Sequence, residues 1–258
     1  MATLRSPRGC PWDRRQTHAT LRPFLIEEAY ELIDAIDRRD LDALPGELGD
    51  VLFQCVFHAQ LGAERGRFDI VDAIDAISAK LIRRHPHVFT RSGRPLPRRA
   101  RRSANTPAAV LTQWEAIKAA EQKTAGRRQR LLAGVPRALP GLVRAHEIGT
   151  RVAAVGFDWP DADGVARKLS EELRELAAAR RTGRRREIEE ELGDVLFTVA
   201  NLARKLGLDA EAALRRANDK FSRRFEAVET RLERRGRSVH AATPRELNAE
   251  WNRVKRRR

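Results

Sequence analysis

Four acidic residues occur twice in the chain with the same internal spacing. The first set is Glu28, Glu31, Glu47 and Asp50, and the second follows 144 residues later as Glu172, Glu175, Glu191 and Asp194. In both copies an E-x-x-E pair is followed, after 15 intervening residues, by the sequence ELGDVLF. Carboxylate oxygens are the ligands that Mg²⁺ and Mn²⁺ prefer in proteins. The repeated acids are therefore candidate ligands of a duplicated metal site.

Most of these acids have no basic neighbour within their own helix. Side chains three or four residues apart on a helix face one another, and only Glu172 has a basic residue at such a position, Lys168. Yet the chain contains 51 Lys and Arg against 36 Asp and Glu, a net charge of +15. A solvated acidic face is the ordinary explanation of a single E-x-x-E pair. Its duplication in a basic chain favours a functional site instead.

Helix geometry places the acids beside an apolar stripe. At about 100° per residue, Glu191 and Asp194 border a stripe that we expect to be buried. Its residues are Leu192, Val195, Leu196, Val199, Leu202 and Leu206, and Leu169, Leu173 and Leu176 form the corresponding stripe beside Glu172 and Glu175. Two such helices, packed antiparallel through their stripes, would bring four carboxylates together. Their mutual repulsion favours a bound divalent cation.

A carboxylate-bridged di-iron bundle is the main alternative metal site. Such a bundle requires a Glu-x-x-His pair on two of its helices. Here the third residue after each glutamate is acidic in all four cases: Glu31, Asp50, Glu175 and Asp194. The pattern therefore favours Mg²⁺, with Mn²⁺ as the alternative, at a site that handles phosphates.

Two groups of basic residues repeat in the same way. Lys80, Arg83 and Arg84 follow the first acidic set, and Lys220, Arg223 and Arg224 follow the second with an offset of 140 residues. Lys and Arg four residues apart lie on one helix face and could hold a polyphosphate from the side opposite the metal. A solvated basic face is the alternative interpretation.

The elements that must position these residues are predicted to be helices throughout. Helical periodicity predicts an all-α fold with helices at about 17–38, 44–64, 70–84, 107–124, 137–154, 163–181, 186–206, 209–235 and 244–256. Asp209 is predicted to cap one helix and Thr243 to begin a capping box with Glu246. The predicted domains are a first repeat at 1–106 with a basic linker at about 92–106, a helical bridge at 107–155 and a second repeat at 156–258.

Composition indicates which ligands and which cellular compartment to expect for this chain. Cys10 and Cys55 form no C-x-x-C pair, which is typical of thiols in a reducing compartment. We find no membrane-spanning run and no signal peptide, and we expect a cytoplasmic protein. Aromatic residues make up only 5% of the chain and no nucleic-acid-binding motif occurs, so a nucleic acid is not expected as the primary ligand.

Six short motifs carry a resemblance to a known family. They are Cys10-Pro11-Trp12-Asp13, Glu27-Glu28-Ala29-Tyr30-Glu31, Arg83-Arg84-His85-Pro86-His87-Val88-Phe89, Gly156-Phe157-Asp158-Trp159, Glu171-Glu172-Leu173-Arg174-Glu175 and Lys220-Phe221-Ser222-Arg223-Arg224-Phe225. In this order they resemble the MazG-type nucleoside triphosphate pyrophosphohydrolases over nearly the whole chain. The resemblance implies two tandem helical repeats, with four-helix-bundle active sites formed from antiparallel helices and completed by dimerisation.

The resemblance also implies an activity: Mg²⁺-dependent cleavage of a nucleoside triphosphate to the monophosphate and pyrophosphate by a homodimer. Glu172, Glu175, Glu191 and Asp194 would be the catalytic metal ligands, and Glu28, Glu31, Glu47 and Asp50 would be ligands in the first repeat. The nucleotide contacts would come from Lys168, Glu171, Lys220, Arg223, Arg224 and Trp251, and Lys80, Arg83 and Arg84 are the phosphate-binding candidates of the first repeat.

The second repeat is the expected catalytic one, because Lys168 and Trp251 accompany it, while the first ends in the helix stop His85-Pro86-His87. The alternative function is a regulatory or interaction protein that binds nucleotides without turnover. Product formation separates the two hypotheses.

Overall fold

The computed structural model describes residues 1–97 and 130–256, together with 106, 109, 110, 113, 114 and 117. Most of the predicted linker at 92–106 and of the predicted helix at 107–124 lies outside these residues. The described part of the chain is helical apart from turns and one isolated bridge between Phe89 and Pro95. The predicted all-α class is therefore confirmed. The chain divides into two compact units, Met1–Ala125 and Gly126–Arg258, and the finer domain boundaries stay a prediction.

Residues 1–97 of the first unit contain five α-helices: α1 (Ala2–Arg5), α2 (Pro11–Arg15), α3 (Arg22–Arg38), α4 (Leu44–Ala63) and α5 (Ile70–Arg84). Helices α1 and α2 were not predicted, because four or five residues are too few to show a period. Helix α3 begins five residues later than predicted. Residues 17–20 form a turn, in which the Thr17 amide donates to Thr20 Oγ1 at 2.8 Å, and Pro23 occupies the first helical turn, where its missing N–H has no cost.

The core of the first unit is small. Leu21, Phe57 and Leu61 form its buried cluster, and the guanidinium of Arg5 lies 5.6 Å from the centre of the Phe57 ring while it binds Glu64. Helices α3 and α4 pack against each other. Helix α5 begins at a capping box formed by Asp69 and Asp72. None of the residues of α5 is buried in this chain.

The second unit contains five more: α6 (Gly141–Ala153), α7 (Ala162–Thr182), α8 (Arg185–Lys205), α9 (Ala210–Glu233) and α10 (Pro244–Arg256). All five lie close to the predicted ranges. Asp209 accepts a hydrogen bond from the Ala212 amide at 3.0 Å, and the Thr243 amide donates to Glu246 at 2.8 Å. The helix starts that the capping residues predicted are therefore present.

Helices α7 and α8 form an antiparallel hairpin, and α6 packs against α8. The hairpin turns at Gly183, whose φ of 71° is readily adopted only by glycine. Helix α6 approaches α8 closely at Gly149, where a Cβ atom would lie 2.1 Å from the Asn201 side-chain oxygen. Nearby, Arg204 and Lys205 bind the Asp158 carboxylate at 2.5 and 2.7 Å, and these bonds, with the Arg204 hydrogen bond first, lower the pKa of Asp158 to about 2.

Most of the apolar stripe of α8 is exposed in this chain, contrary to the sequence prediction, and only Val195 and Leu202 of its six residues are half-buried. Leu192, Leu196, Val199 and Leu206 are 46%, 51%, 38% and 55% exposed, and Leu173 on α7 is 51% exposed. The side chains that these two helices bury are Val165, Glu172, Ala179, Thr198, Ala200 and Asn201. The fully buried apolar contacts of these two helices are therefore made by smaller side chains, whereas Leu192, Leu196 and Leu206 remain exposed and Leu202 is half-buried. None of the helices in residues 1–97 and 130–256 has both the length and the apolarity to cross a membrane.

Candidate metal centres

Three carboxylates of the second unit meet at the α7–α8 hairpin. Glu172 and Glu175 lie one turn apart on α7, Glu191 lies on α8, and each offers an oxygen within 4.8 Å of the others. Glu172 is buried, with 5% of its surface exposed, while Glu191 is half-buried and Glu175 exposed. The fourth predicted ligand, Asp194, lies outside this trio. The hairpin thus gathers acids from two helices at one point.

A single lysine partly neutralises this centre. Lys168 Nζ lies 2.6 Å from Glu171 and 2.9 Å from Glu172, and these hydrogen bonds raise the pKa of the lysine well above its ordinary value and lower that of Glu171. Within the described residues, no ion pair reaches Glu175, Glu191 or Asp194. The pKa of Glu191 is raised, first by burial and then by repulsion from Glu175 and Glu172. Negative charge therefore exceeds its local compensation.

The first unit has a related centre between α3 and α4. Oxygens of Glu28, Glu47 and Asp50 lie within 4.8 Å of one another, and the predicted ligand Glu31 lies outside this trio. Burial, followed by repulsion from Asp50 and Glu31, raises the pKa of Glu28. The position equivalent to Lys168, 144 residues earlier, is Phe24, which packs on the apolar core. Position 24 therefore supplies no cation to this centre.

The ligand sets of both centres suit a hard divalent cation. Every ligand atom is a carboxylate oxygen, which excludes the thiolate and imidazole sets typical of zinc and copper sites. Like charges at this spacing repel one another, and a divalent cation relieves that repulsion while it leaves open coordination positions. Either centre can therefore hold a metal ion, and neither contains a histidine.

The basic residues that were predicted to hold phosphates lie on other helices than the carboxylates of each unit. Lys220 and Arg223 are exposed and Arg224 half-buried on α9. In the part of the chain that the structure describes, no ion pair joins them to the carboxylates. In the first unit, the corresponding residues lie on the last turns of α5: Lys80, Arg83 and Arg84.

Trp251 on α10 packs against Phe221 on α9. The ring centroids are 4.8 Å apart, with a tilt of 42° between the planes, and Phe221 in turn stacks on Phe225 at 6.2 Å. Phe221 follows Lys220 and precedes Arg224 by three residues. The predicted tryptophan and the predicted phosphate-binding residues therefore share one surface of the second unit.

One functional candidate was not predicted from the sequence: Glu250, which is 2% exposed and binds Arg231, Arg235 and Arg253. The spacing of Glu250 and Arg253 on one helix was a readable signal. The other two arginines come from outside α10, and nothing in the sequence connects them to Glu250.

Comparison with known proteins places both acidic centres within one type of domain. The MazG nucleotide pyrophosphohydrolase domain matches residues 16–89 and 162–228. The chain is 46% identical to the nucleoside triphosphate pyrophosphohydrolase of Escherichia coli K12, over 99% of this chain and 94% of the relative. It is 44% identical to the nucleoside triphosphate pyrophosphohydrolase/pyrophosphatase MazG of Thermotoga maritima, over 99% and 92%. The uncharacterized protein YabN of Bacillus subtilis is 40% identical over 98% of this chain, which spans 49% of that protein.

Proposed function

The chain belongs to the MazG nucleotide pyrophosphohydrolase family, and we propose that it hydrolyses nucleoside triphosphates to monophosphates and pyrophosphate with Mg²⁺ as its cofactor. The observation that carries this proposal is the trio of Glu172, Glu175 and Glu191, within 4.8 Å of one another. The names of the Escherichia coli and Thermotoga maritima relatives support the same reaction.

The second unit would hold the metal through its four repeated acids: Glu172, Glu175, Glu191 and Asp194. When bound, Mg²⁺ would neutralise part of the charge of a triphosphate and lower the pKa of a bound water molecule. Mn²⁺ has the same ligand preference. The repeated acids of the first unit are the candidate ligands of a second ion: Glu28, Glu31, Glu47 and Asp50.

The protein side chains then orient the substrate and move one proton. Water attacks the α-phosphorus, and one of the carboxylates accepts its proton. Pyrophosphate leaves, and Lys220 and Arg224 stabilise its charge with their ammonium and guanidinium groups. Lys168 is the third cation of this unit that is available to the nucleotide, since its ammonium group already lies beside the carboxylates.

The active form that we propose is a homodimer. Within the described residues of one chain, Lys220 and Arg224 make no ion pair with the carboxylates, and most of the apolar stripe of α8 is exposed, with Leu196 at 51%. A second copy packed on this stripe would cover it and complete a four-helix bundle around the acids. The unpaired thiols Cys10 and Cys55 support a cytoplasmic location.

The first experiment is incubation of the purified chain with Mg²⁺ and each common nucleoside triphosphate. Nucleotide products are resolved, and pyrophosphate and orthophosphate are assayed separately. We expect monophosphate and pyrophosphate. Diphosphate and orthophosphate would show that a different bond is cleaved, and binding without products would favour a nucleotide-binding regulatory protein.

The repeat provides a matched pair of variants that assigns the reaction to one unit. Glu175→Gln with Asp194→Asn should lower kcat by at least about a hundredfold, because these acids have no replacement as ligands. Glu31→Gln with Asp50→Asn makes the same change at the equivalent positions and should retain most of the activity. Wild-type turnover by the first variant would exclude the second unit as the catalytic site.

A further inference from the structure

We propose that Glu250 is a positioning residue that holds Trp251 against Phe221, so that the two rings form the surface on which the base of the nucleotide stacks. This inference rests on the proposed function, since it concerns the nucleotide of that reaction. Glu250 itself does not touch the substrate.

Glu250 connects the last two helices. Its Oε2 accepts a hydrogen bond from Arg231 Nε of α9 at 2.7 Å. Its Oε1 accepts from Arg235, just beyond the end of α9, and from Arg253 on α10. The hydrogen bond with Arg231 makes the largest contribution to the lowered pKa of Glu250. The carboxylate is therefore charged at neutral pH, and it ties the C-terminal helix to the helix that carries Lys220 and Arg224.

The burial of the Glu250 carboxylate makes its bonds to the arginines important for the packing of α10 on α9. Glu250 is 2% exposed, and a buried carboxylate without its partners would be strongly destabilised. The angle between α9 and α10 is thus constrained by two of these bonds, those from Arg231 and Arg235, whereas Arg253 lies on the same helix as Glu250. Trp251 follows Glu250 directly, so its ring position depends on the same constraint.

The two rings have the properties of a base-stacking surface. Phe221 is 56% exposed, its centroid lies 4.8 Å from that of Trp251, and aromatic rings stack on every type of base. On α9, Lys220 and Arg224 are separated by one turn and flank Phe221. A nucleotide whose phosphates contact these cations would place its base near the two rings.

The test compares Glu250→Gln with a matched control, Glu246→Gln. Both variants replace a glutamate of α10 that binds an arginine. Glu246 lies in the first turn of the helix, where it pairs with Arg237. Glutamine can replace glutamate in the capping box there, so the helix start should be retained. Each protein is assayed with ATP and with ribose 5-triphosphate, which has no base. The measured quantity is the ratio of kcat/KM for the two substrates.

We expect Glu250→Gln to lower this ratio by at least about fivefold, mainly through KM for ATP, which is the lower end of the effect of losing one stacked base. Glu246→Gln should leave the ratio unchanged. Equal losses with both substrates would assign Glu250 a merely structural role, and an unchanged ratio in Glu250→Gln would also overturn the proposal.

A binding measurement separates this inference from the proposed function. If the wild-type chain turned over neither substrate, the proposed reaction would fail, and the positioning role would be judged from the quenching of Trp251 fluorescence by ATP. Trp251→Phe identifies the Trp251 signal, and Glu250→Gln should reduce the quenching. If Glu250→Gln does not fold, as judged by circular dichroism, Arg235→Gln removes one of the three bonds and serves in both measurements. Undiminished quenching would contradict the inference.

Discussion

The two acidic centres differ most clearly at one residue. Lys168 binds Glu172 at 2.9 Å in the second unit, whereas the equivalent residue of the first unit, Phe24, belongs to its apolar core. The second centre therefore has a cation of its own, which balances part of the charge before any metal or nucleotide binds. This difference supports the second unit as the one that handles a triphosphate.

Glu191 provides a test of the repulsion within the second centre. Burial and the neighbouring acids raise the pKa of Glu191 above the ordinary 4.5, so the charged carboxylate destabilises the metal-free fold. The free energy of unfolding therefore decreases as the pH rises from the unfolded-state pKa through the raised pKa of the folded state. We predict that Glu191→Gln increases Tm at pH 7.5 without metal and reduces the further increase that Mg²⁺ gives the wild type. Thermal unfolding with and without Mg²⁺ measures both effects.

The same variant should have little effect at pH 4, where Glu191 is largely protonated in both folded and unfolded chains. Glu189→Gln is the control on the same helix, because the Glu189 ion pair with Arg185 is exposed and contributes little. A Mg²⁺-dependent increase in Tm that is equal in wild type and Glu191→Gln would exclude this carboxylate as a ligand.

At the scale of the elements, the two hairpins turn at equivalent positions with different residues. Helix α7 ends before Gly183 at φ 71°, and helix α3 ends before Arg39 at φ 57°, 144 residues earlier. The left-handed region is readily adopted by glycine and costs other residues about 1–2 kcal/mol. The first repeat therefore contains a strained turn that the second avoids.

We predict that Arg39→Gly stabilises the first unit by about 0.5–1 kcal/mol, because relief of the strain exceeds the entropy that glycine adds to the unfolded chain. Arg38→Gly, one residue earlier within α3, should instead destabilise by about 1 kcal/mol. Urea unfolding compares the two variants. A loss of stability in both would show that Arg39 makes contacts that outweigh its backbone conformation.

Sequence was sufficient to predict most elements because their signals are local. The start of α9 follows from Asp209 and that of α10 from Thr243, each of which binds amides within a few residues. The predicted start of α3 at residue 17 was wrong, because a hydrogen-bonded turn at Thr17 stands where the first helical turn was expected. The three-arginine site around Glu250 was only partly predictable: Arg253 lies three residues away on the same helix, whereas Arg231 and Arg235 come from a separate segment that no periodicity connects to Glu250.

At the scale of the whole molecule, the apolar pattern predicted that the α8 stripe is covered but did not say by what. The carboxylate spacing predicted four acids in each unit, of which three meet, while Glu31 and Asp194 lie outside the two trios. It did not indicate that α7 and α8 would pack through small side chains, which leaves Leu196 and Leu192 exposed in one chain. Periodicity reports that a face is apolar, whereas the identity of the covering surface depends on contacts far along the chain or in another copy.

The proposed dimer gives this exposed stripe a test with a kinetic readout. We predict that Leu196→Lys raises the dimer dissociation constant by at least about tenfold, because it removes the burial of a leucine, about 1.5–3 kcal/mol, and places a charge in an apolar interface. Light scattering across a dilution series measures the mass of the particle. Val155→Lys is the control, since Val155 is 65% exposed but lies in the turn after α6, outside the stripe.

Turnover should follow the particle mass, because in the proposed dimer the second copy completes the site around the carboxylates. Turnover per chain by Leu196→Lys should therefore rise with protein concentration and approach the wild-type value when the dimer forms again. The wild type and Val155→Lys should show no such dependence over the same range. A Leu196→Lys protein that is monomeric yet fully active would show that each chain contains a complete site, and would overturn the proposed dimer as the active form.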